Sequence, residues 1–314
     1  MQKSELSYPS QNGVDTIRAY LCLPEKTPHG CEPIGIVQIS HGMCEYFERY
    51  EWFCEFLCNN GLIVCGNDHL GHGKSAKTLD DLGYFAKKGG WKFLSEDVFT
   101  LTELVKKQFP DLPFFLFGHS LGAFIVQACL NAHGSELTGA IICGTAPKNP
   151  KSGIGKILTK LIALFKGDYY RSAYAKNLAN QGNLDRCPEK RTENDWLTKD
   201  TAIVDKYCAD PLCNYTFTVS AYYDMIKILD FINSPKGVTN VPKDLPIFLI
   251  SGADDPIGAY GKGPADAASL LESAGCTRVS IKAYDGDRHE LLNELDRERV
   301  ARDILDFIQG RISE

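Results

Sequence analysis

A serine, an aspartate and a histidine, in that chain order, are the residues of this sequence whose types and spacing point to chemistry. Ser120 lies in FGHSLGAF (117–124), with Gly118 two residues before it and Gly122 two after. A serine between glycines could simply cap a helix, since serine is a preferred N-cap. Ser120, however, follows the apolar run LPFFLF and precedes the helix-like AFIVQACLNAH. In that strand–turn–helix context a Gly-x-Ser-x-Gly turn lifts a serine hydroxyl out of a sheet. Small flanking residues let strand and helix approach, and the helix N-terminus favours developing negative charge. A serine is a weak nucleophile until a base takes its proton, and the base needs an acid to orient it. Asp254-Asp255-Pro256 follows PIFLISGA, and His289 lies in YDGDRHELL, each just past an expected strand end. His289 is the only one of seven histidines beyond residue 240. Acyl transfer through a covalent intermediate is the chemistry this order supports.

The elements that must position these residues are legible as alternating patterns. Apolar runs at 33–40, 62–68, 113–119, 138–145, 246–252 and 278–284 read as strands, several of them apolar at nearly every position, as strands buried on both faces are. Apolar spacing predicts helices near 47–60, 92–109, 121–133, 262–275 and 295–311. The alternation predicts an α/β fold whose mainly parallel sheet carries helices on both faces. TIRAYLCLP (16–24) reads as an antiparallel strand at the sheet edge. The alternation stops between about 148 and 240, a stretch that reads as helix throughout. The economical division is a core formed by 1–147 and 241–314, with a helical cap, 148–240, inserted near the strand ends.

Composition bounds the function. With 44 % hydrophobic and 24 % charged residues, 314 residues suffice for one well-packed domain carrying an insertion. A net charge of −6 argues against nucleic acid, which wants a basic face. The start, MQKSELSYPSQNG, lacks the apolar core of a signal peptide, and no run reaches membrane-spanning length. Twelve cysteines are scattered through apolar segments such as LIVCG and AIICG and never form Cys-x-x-Cys. They read as buried free thiols of a cytoplasmic protein.

Taken together, GHSLG, HGMCEYFERY (41–50), NDHLGHGKS (67–75), YCADPLC (207–213), SGADDPIGAYGKG and RHELLNE resemble the monoglyceride lipase and lysophospholipase branch of the α/β-hydrolases, whose bacterial members are often labelled serine aminopeptidase-like. The resemblance covers nearly the whole chain. It implies an α/β-hydrolase fold with a cap, a Ser120–Asp255–His289 triad, and Asp255 rather than Asp254 as the acid, because the family's acid precedes Pro-x-Gly. It also implies an oxyanion hole from the main-chain N–H groups of Met43 and Leu121, with His41 and Glu45 bracing their loop. Two positions depart from the family. Cys44 stands where the loop His-Gly-x-Gly-Glu has its second glycine, and Leu121 stands where a methionine often follows the nucleophile.

Other patterns carry weaker signals. Asp68, His69 and His72 in DHLGH form a tempting cluster, but a zinc site wants three or four ligands with matched geometry, and the family that the chain resembles has this loop without metal; no cofactor or metal is expected. Cys54 and Cys58 share a helix face and read as buried thiols. In GIGKILTKLIALF, apolar residues including Leu161 and Phe165 recur on one helical face between Lys156, Lys160 and Lys166. The simpler expectation is that this face packs on the core. The other is a helix that makes transient contact with a membrane surface, and both hold if the same face, with Leu161 and Phe165, lines an acyl tunnel. The expected activity is hydrolysis of a carboxylic ester, with a fatty acyl group favoured because the insertion is apolar. An aminopeptidase-like amide hydrolase and a non-catalytic binding protein on the same scaffold are the alternatives. Aspartate-nucleophile enzymes are disfavoured by the serine at the elbow.

Overall fold

The computed structural model describes residues 1–25 and 32–313. The strands are β1 (Gln2–Pro9), β2 (Thr16–Leu23), β3 (Gly35–Ser40), β4 (Leu62–Asn67), β5 (Phe114–His119), β6 (Gly139–Cys143), β7 (Ile247–Gly252) and β8 (Val279–Tyr284). They form one sheet in the order β1-β2-β4-β3-β5-β6-β7-β8. β1 and β2 run antiparallel, and every pairing from β4 to β8 is parallel. Strands β3 to β7 are buried at every residue, in keeping with their largely apolar runs.

The sheet edge differs from expectation. β2 is internal, bonded to β4 on one side and to β1 on the other. β1 is the true edge, and its QKSELSYP carries no continuous apolar signal because Gln2, Lys3, Ser4 and Glu5 are exposed; main-chain bonds to β2 and the buried Tyr8 hold it.

Two cores lie on opposite faces of the sheet. Helices α2 (Gly90–Gln108), α3 (Leu121–His133) and α9 (Lys262–Ser273) pack on one, through residues such as Val98, Ile125 and Leu271. Helices α1 (Glu51–Asn59) and α10 (Arg297–Ile312) pack on the other, through Phe53, Leu57 and Ile304. Alternate strand residues serve the two cores: Ile247 and Leu249 face the first, Phe248 and Ile250 the second.

Between β6 and β7 lie α4 (Ser152–Lys166), α5 (Ala173–Ala179), α6 (Thr201–Ala209), α7 (Val219–Ile232) and the short α8 (Pro235–Val238). The expectation of helix throughout fails at 180–200, which holds neither helix nor strand. Its run of Asn, Gly, Pro and Asp favours turns. Asp195 shows how: it accepts from the N–H of Arg191 (2.5 Å) and of Thr192 (2.9 Å), fixing a loop rather than a helical turn. Among the described residues no helix is long and apolar enough to cross a membrane.

Candidate active site

The parallel register brings the C-terminal ends of β3, β5, β6, β7 and β8 side by side, with Ser40 opposite Gly118 and Gly252 opposite Tyr284. Every residue expected to react follows one of these ends.

Ser120 occupies the sharp turn between β5 and α3 at φ 54°, ψ −118°, a conformation that L residues rarely hold without functional cause. Its N–H donates to the Cys143 carbonyl at 2.9 Å. The flanking glycines are obligatory. A Cβ on Gly122 would overlap the carbonyls of Ser40 and His41, and one on Gly118 would overlap the carbonyl of Gly122. Strand, turn and helix are therefore in main-chain contact, which holds the serine out of the sheet.

Asp255 and His289 are both buried, and His289 Nδ1 lies 2.9 Å from Asp255 Oδ1. Asp255 Oδ1 also accepts from the Ile257 N–H at 2.8 Å. Gly144 lies against the pair, where a Cβ would come within 3.0 Å of the imidazole. His289 Nε2 is buried without a hydrogen-bond partner, and no bond joins it to Ser120. Asp255 and His289 are thus brought together by a hydrogen bond, and Ser120 is not bonded to the pair. Asp254 turns the other way, half-exposed and 4.0 Å from Arg186, which lies between α5 and α6.

Met43 lies in the loop after β3, and Leu121 is the first residue of α3. The preceding N–H groups are already engaged, Gly42 with Glu45 Oε1 and Ser120 with Cys143. The two loops touch: a Cβ on Gly42 would stand 3.3 Å from Ser120 Cβ. Cys44 holds φ 55°, in the left-handed region that glycine adopts without cost. Its thiol is buried and donates to the Tyr215 carbonyl, between α6 and α7, at 3.1 Å, and burial pushes its pKa well above the usual thiol range.

Residues between β6 and β7 reach the loops of both His289 and Asp255. The Trp196 ring lies 5.2 Å from the His289 ring. The Glu290 N–H donates to Leu197 O at 2.7 Å, and Arg288 Nη1 donates to Asp195 O at 2.6 Å. Arg186 stacks on Tyr260, 3.6 Å from the ring centroid, in the loop that carries Asp255. No local pattern announced Trp196; its contact with His289 is made across most of the second half of the chain.

Leu161 and Phe165 correct the tunnel expectation. They are 48 % and 79 % exposed, on an outward face of α4 shared with Ile154, Ile157 and Leu164. α4 packs on α7 through its other side, where Gly155 meets Ile226 and Lys156 pairs with Asp230. The apolar face is therefore left open rather than packed on the core.

The histidines of DHLGH are structural in their contacts. His69 Nε2 lies 3.1 Å from both Ser40 Oγ and the His41 carbonyl, and His72 stacks on Phe85. Burial and the neighbouring His41 hold His72 neutral, its pKa down to about 3. Among the described residues no group of three His, Cys, Asp or Glu side chains is arranged to hold a metal.

A serine raised at a strand–helix elbow beside a buried Asp–His pair, on a mainly parallel sheet, defines an α/β-hydrolase. The chain belongs to the family described as serine aminopeptidase, S33, whose model matches residues 31–296. It is 28 % identical to a monoglyceride lipase homolog of Monkeypox virus, over 89 % of this chain and 91 % of that protein. It is 25 % identical to a monoacylglycerol lipase of Mycolicibacterium smegmatis, over 90 % of each. A thermostable carboxyl esterase from Bacillus coagulans, solved with glycerol, superposes with a TM-score of 0.91 at 33 % identity, covering 99 % of both chains. The chain is a carboxylic ester hydrolase of the monoglyceride lipase-like branch.

Proposed function

We propose that Ser120, His289 and Asp255 are the nucleophile, base and acid of an acyl-enzyme mechanism acting on esters with a single fatty chain, of which monoacylglycerols are the first to test. The 2.9 Å contact of buried Asp255 with His289 Nδ1, beside a strained Ser120, is the observation that carries this reading. In it, His289 Nε2 takes the Ser120 proton as Oγ attacks the acyl carbon, and Asp255 keeps the imidazole in the tautomer that can do so. The N–H groups of Met43 and Leu121 receive the oxyanion; one such donor is worth about 3 kcal/mol. Proton return from His289 expels the alcohol, and water repeats the sequence on the acyl-enzyme.

Residues 148–240 act as the cap in this proposal. Four carboxylates of that segment that could have held a substrate amine are engaged. Glu193 pairs with Lys176, Asp205 with Arg191, Asp195 holds its own loop, and Asp200 caps α6. The open face of α4, flanked by Lys151, Lys160 and Lys166, suits transient contact with a lipid surface, from which such a substrate would be drawn. The eleven described cysteines are all free, which favours a reducing, cytoplasmic location; Cys31 lies outside the described residues.

The experiment is hydrolysis of monoacylglycerols, lysophospholipids, short aryl esters and aminoacyl amides by purified protein, with Ser120→Ala as the blank. Turnover of the single-chain esters that is lost in the blank supports the proposal. Turnover of the aminoacyl amides alone refutes it.

A further inference from the structure

Glu290, directly after the proposed base, carries a buried carboxylate that the chemistry above does not use. Arg49, at the entrance to α1, grips it with two parallel bonds, Nη1 to Oε1 at 2.9 Å and Nη2 to Oε2 at 2.8 Å. Arg49 Nη1 also donates to Glu45 Oε2. Glu45 Oε1 in turn accepts from the Gly42 N–H, from the Tyr50 hydroxyl at 2.8 Å and from His119 Nδ1 at 3.2 Å. His119 Nε2 donates to the main-chain carbonyl of His289 at 3.2 Å.

These contacts close a ring. It runs from Glu45 through Arg49 to Glu290, back one residue to His289, and through His119 to Glu45 again. One side of the ring is the loop of Met43, the opposite side is the base loop, and His119 directly precedes Ser120. Burial opposes charge on Glu45, yet Arg49 and His119 outweigh it and hold its carboxyl well below the usual range. Burial likewise opposes charge on His119, and the bond to Glu45 reverses that and raises its pKa.

A buried ion pair is by itself weak evidence of stability, because desolvation offsets its attraction. What sets this one apart is its placement across 241 residues of chain, joining the two loops that must keep their spacing around Ser120. We infer that Arg49 and Glu290 are a positioning pair that holds the base loop in register with the oxyanion loop. The inference rests on the triad reading above. Misplacing reacting groups by about 1 Å costs on the order of 100-fold in rate, so a loosened register is read in turnover rather than in binding.

The test counts active sites with a fluorophosphonate that labels the nucleophile, then measures kcat per labelled site and KM on a short aryl ester. Glu290→Ala is expected to lower kcat per site by about 10- to 100-fold, with KM within about threefold of the native value. Glu290→Gln, which keeps the shape and one hydrogen bond, should retain more activity and serves if the alanine variant does not fold. Arg49→Ala/Glu290→Ala should be no slower than the worse single variant, because the pair acts as a unit. Unchanged kcat per labelled site, with only the labelled fraction or the melting temperature lowered, overturns the inference, as does a double variant whose losses multiply. Native protein that takes no label, with Ser120→Ala equally active, overturns the triad reading and this inference with it.

Discussion

His289 Nδ1 lies 2.9 Å from Asp255 Oδ1, while Asp254, the adjacent residue, faces Arg186 at 4.0 Å on the surface. Two neighbouring carboxylates therefore face unequal tasks. Ser120→Ala and His289→Ala should each lower kcat by about three orders of magnitude or more without unfolding the protein. Asp255→Asn should lower it by about 100-fold to 10,000-fold, since the wrong tautomer of the base is then favoured. Asp254→Asn removes only a loose exposed ion pair and should stay within about threefold of native activity. Steady-state hydrolysis of a short aryl ester decides this, and equal losses at the two aspartates would overturn the assignment of the acid.

Cys44 holds φ 55°, where a Cβ crowds the main chain. Alanine and glycine both remove the buried thiol at this position, so their difference isolates the backbone. Cys44→Gly should be more stable than Cys44→Ala by about 1 kcal/mol, the reverse of the usual order. Urea unfolding of the two variants measures this directly, and an alanine variant at least as stable as the glycine one refutes it.

The outward face of α4 should matter only where substrate is presented on a lipid surface. Leu161→Asp and Phe165→Asp, at exposed positions, should leave hydrolysis of a soluble acetate ester nearly unchanged. Both should lower co-flotation with phospholipid vesicles and turnover of vesicle-borne monoacylglycerol, since each buried methylene contributes about 0.8 kcal/mol to partitioning. Equal effects on the soluble and the vesicle-borne ester would mean that the face supports the fold instead.

Asp97 offers a pH test of stability. It is buried on α2, where desolvation outweighs its bonds from the Gln11 N–H (2.6 Å) and the Ser10 hydroxyl (2.8 Å) and raises its pKa to about 6. The folded state therefore holds this proton more tightly than the unfolded chain. The resulting penalty is absent below the unfolded value near 4, grows as pH rises, and is complete above about 6. Asp97→Asn removes the charge. Relative to native protein, its stability should improve by about 2–3 kcal/mol between pH 4 and pH 7. Denaturant unfolding at the two pH values checks this, and a difference that is flat or of opposite sign contradicts it.

Much of the fold was determined by the sequence itself. Strands β3 to β7 are apolar at nearly every residue because both of their faces are covered, and that pattern is local. The elbow is local too: Gly118 and Gly122 bracket Ser120 because main chain must pass where a Cβ would stand. The order serine, aspartate, histidine follows from which strand ends carry them. The remainder depends on packing between segments distant in the chain. Periodicity shows that α4 has an apolar face, but not that α7 takes the opposite side and leaves that face open. β1 joins the sheet through main-chain bonds, which leave no mark in a polar sequence. The meeting of Trp196 with His289, and of Arg49 with Glu45 and Glu290, depends on segments distant in the chain converging at the strand ends. A carboxylate or an indole in sequence has no address; burial and packing assign one, because energy is shared between side chains only where the fold brings them into contact.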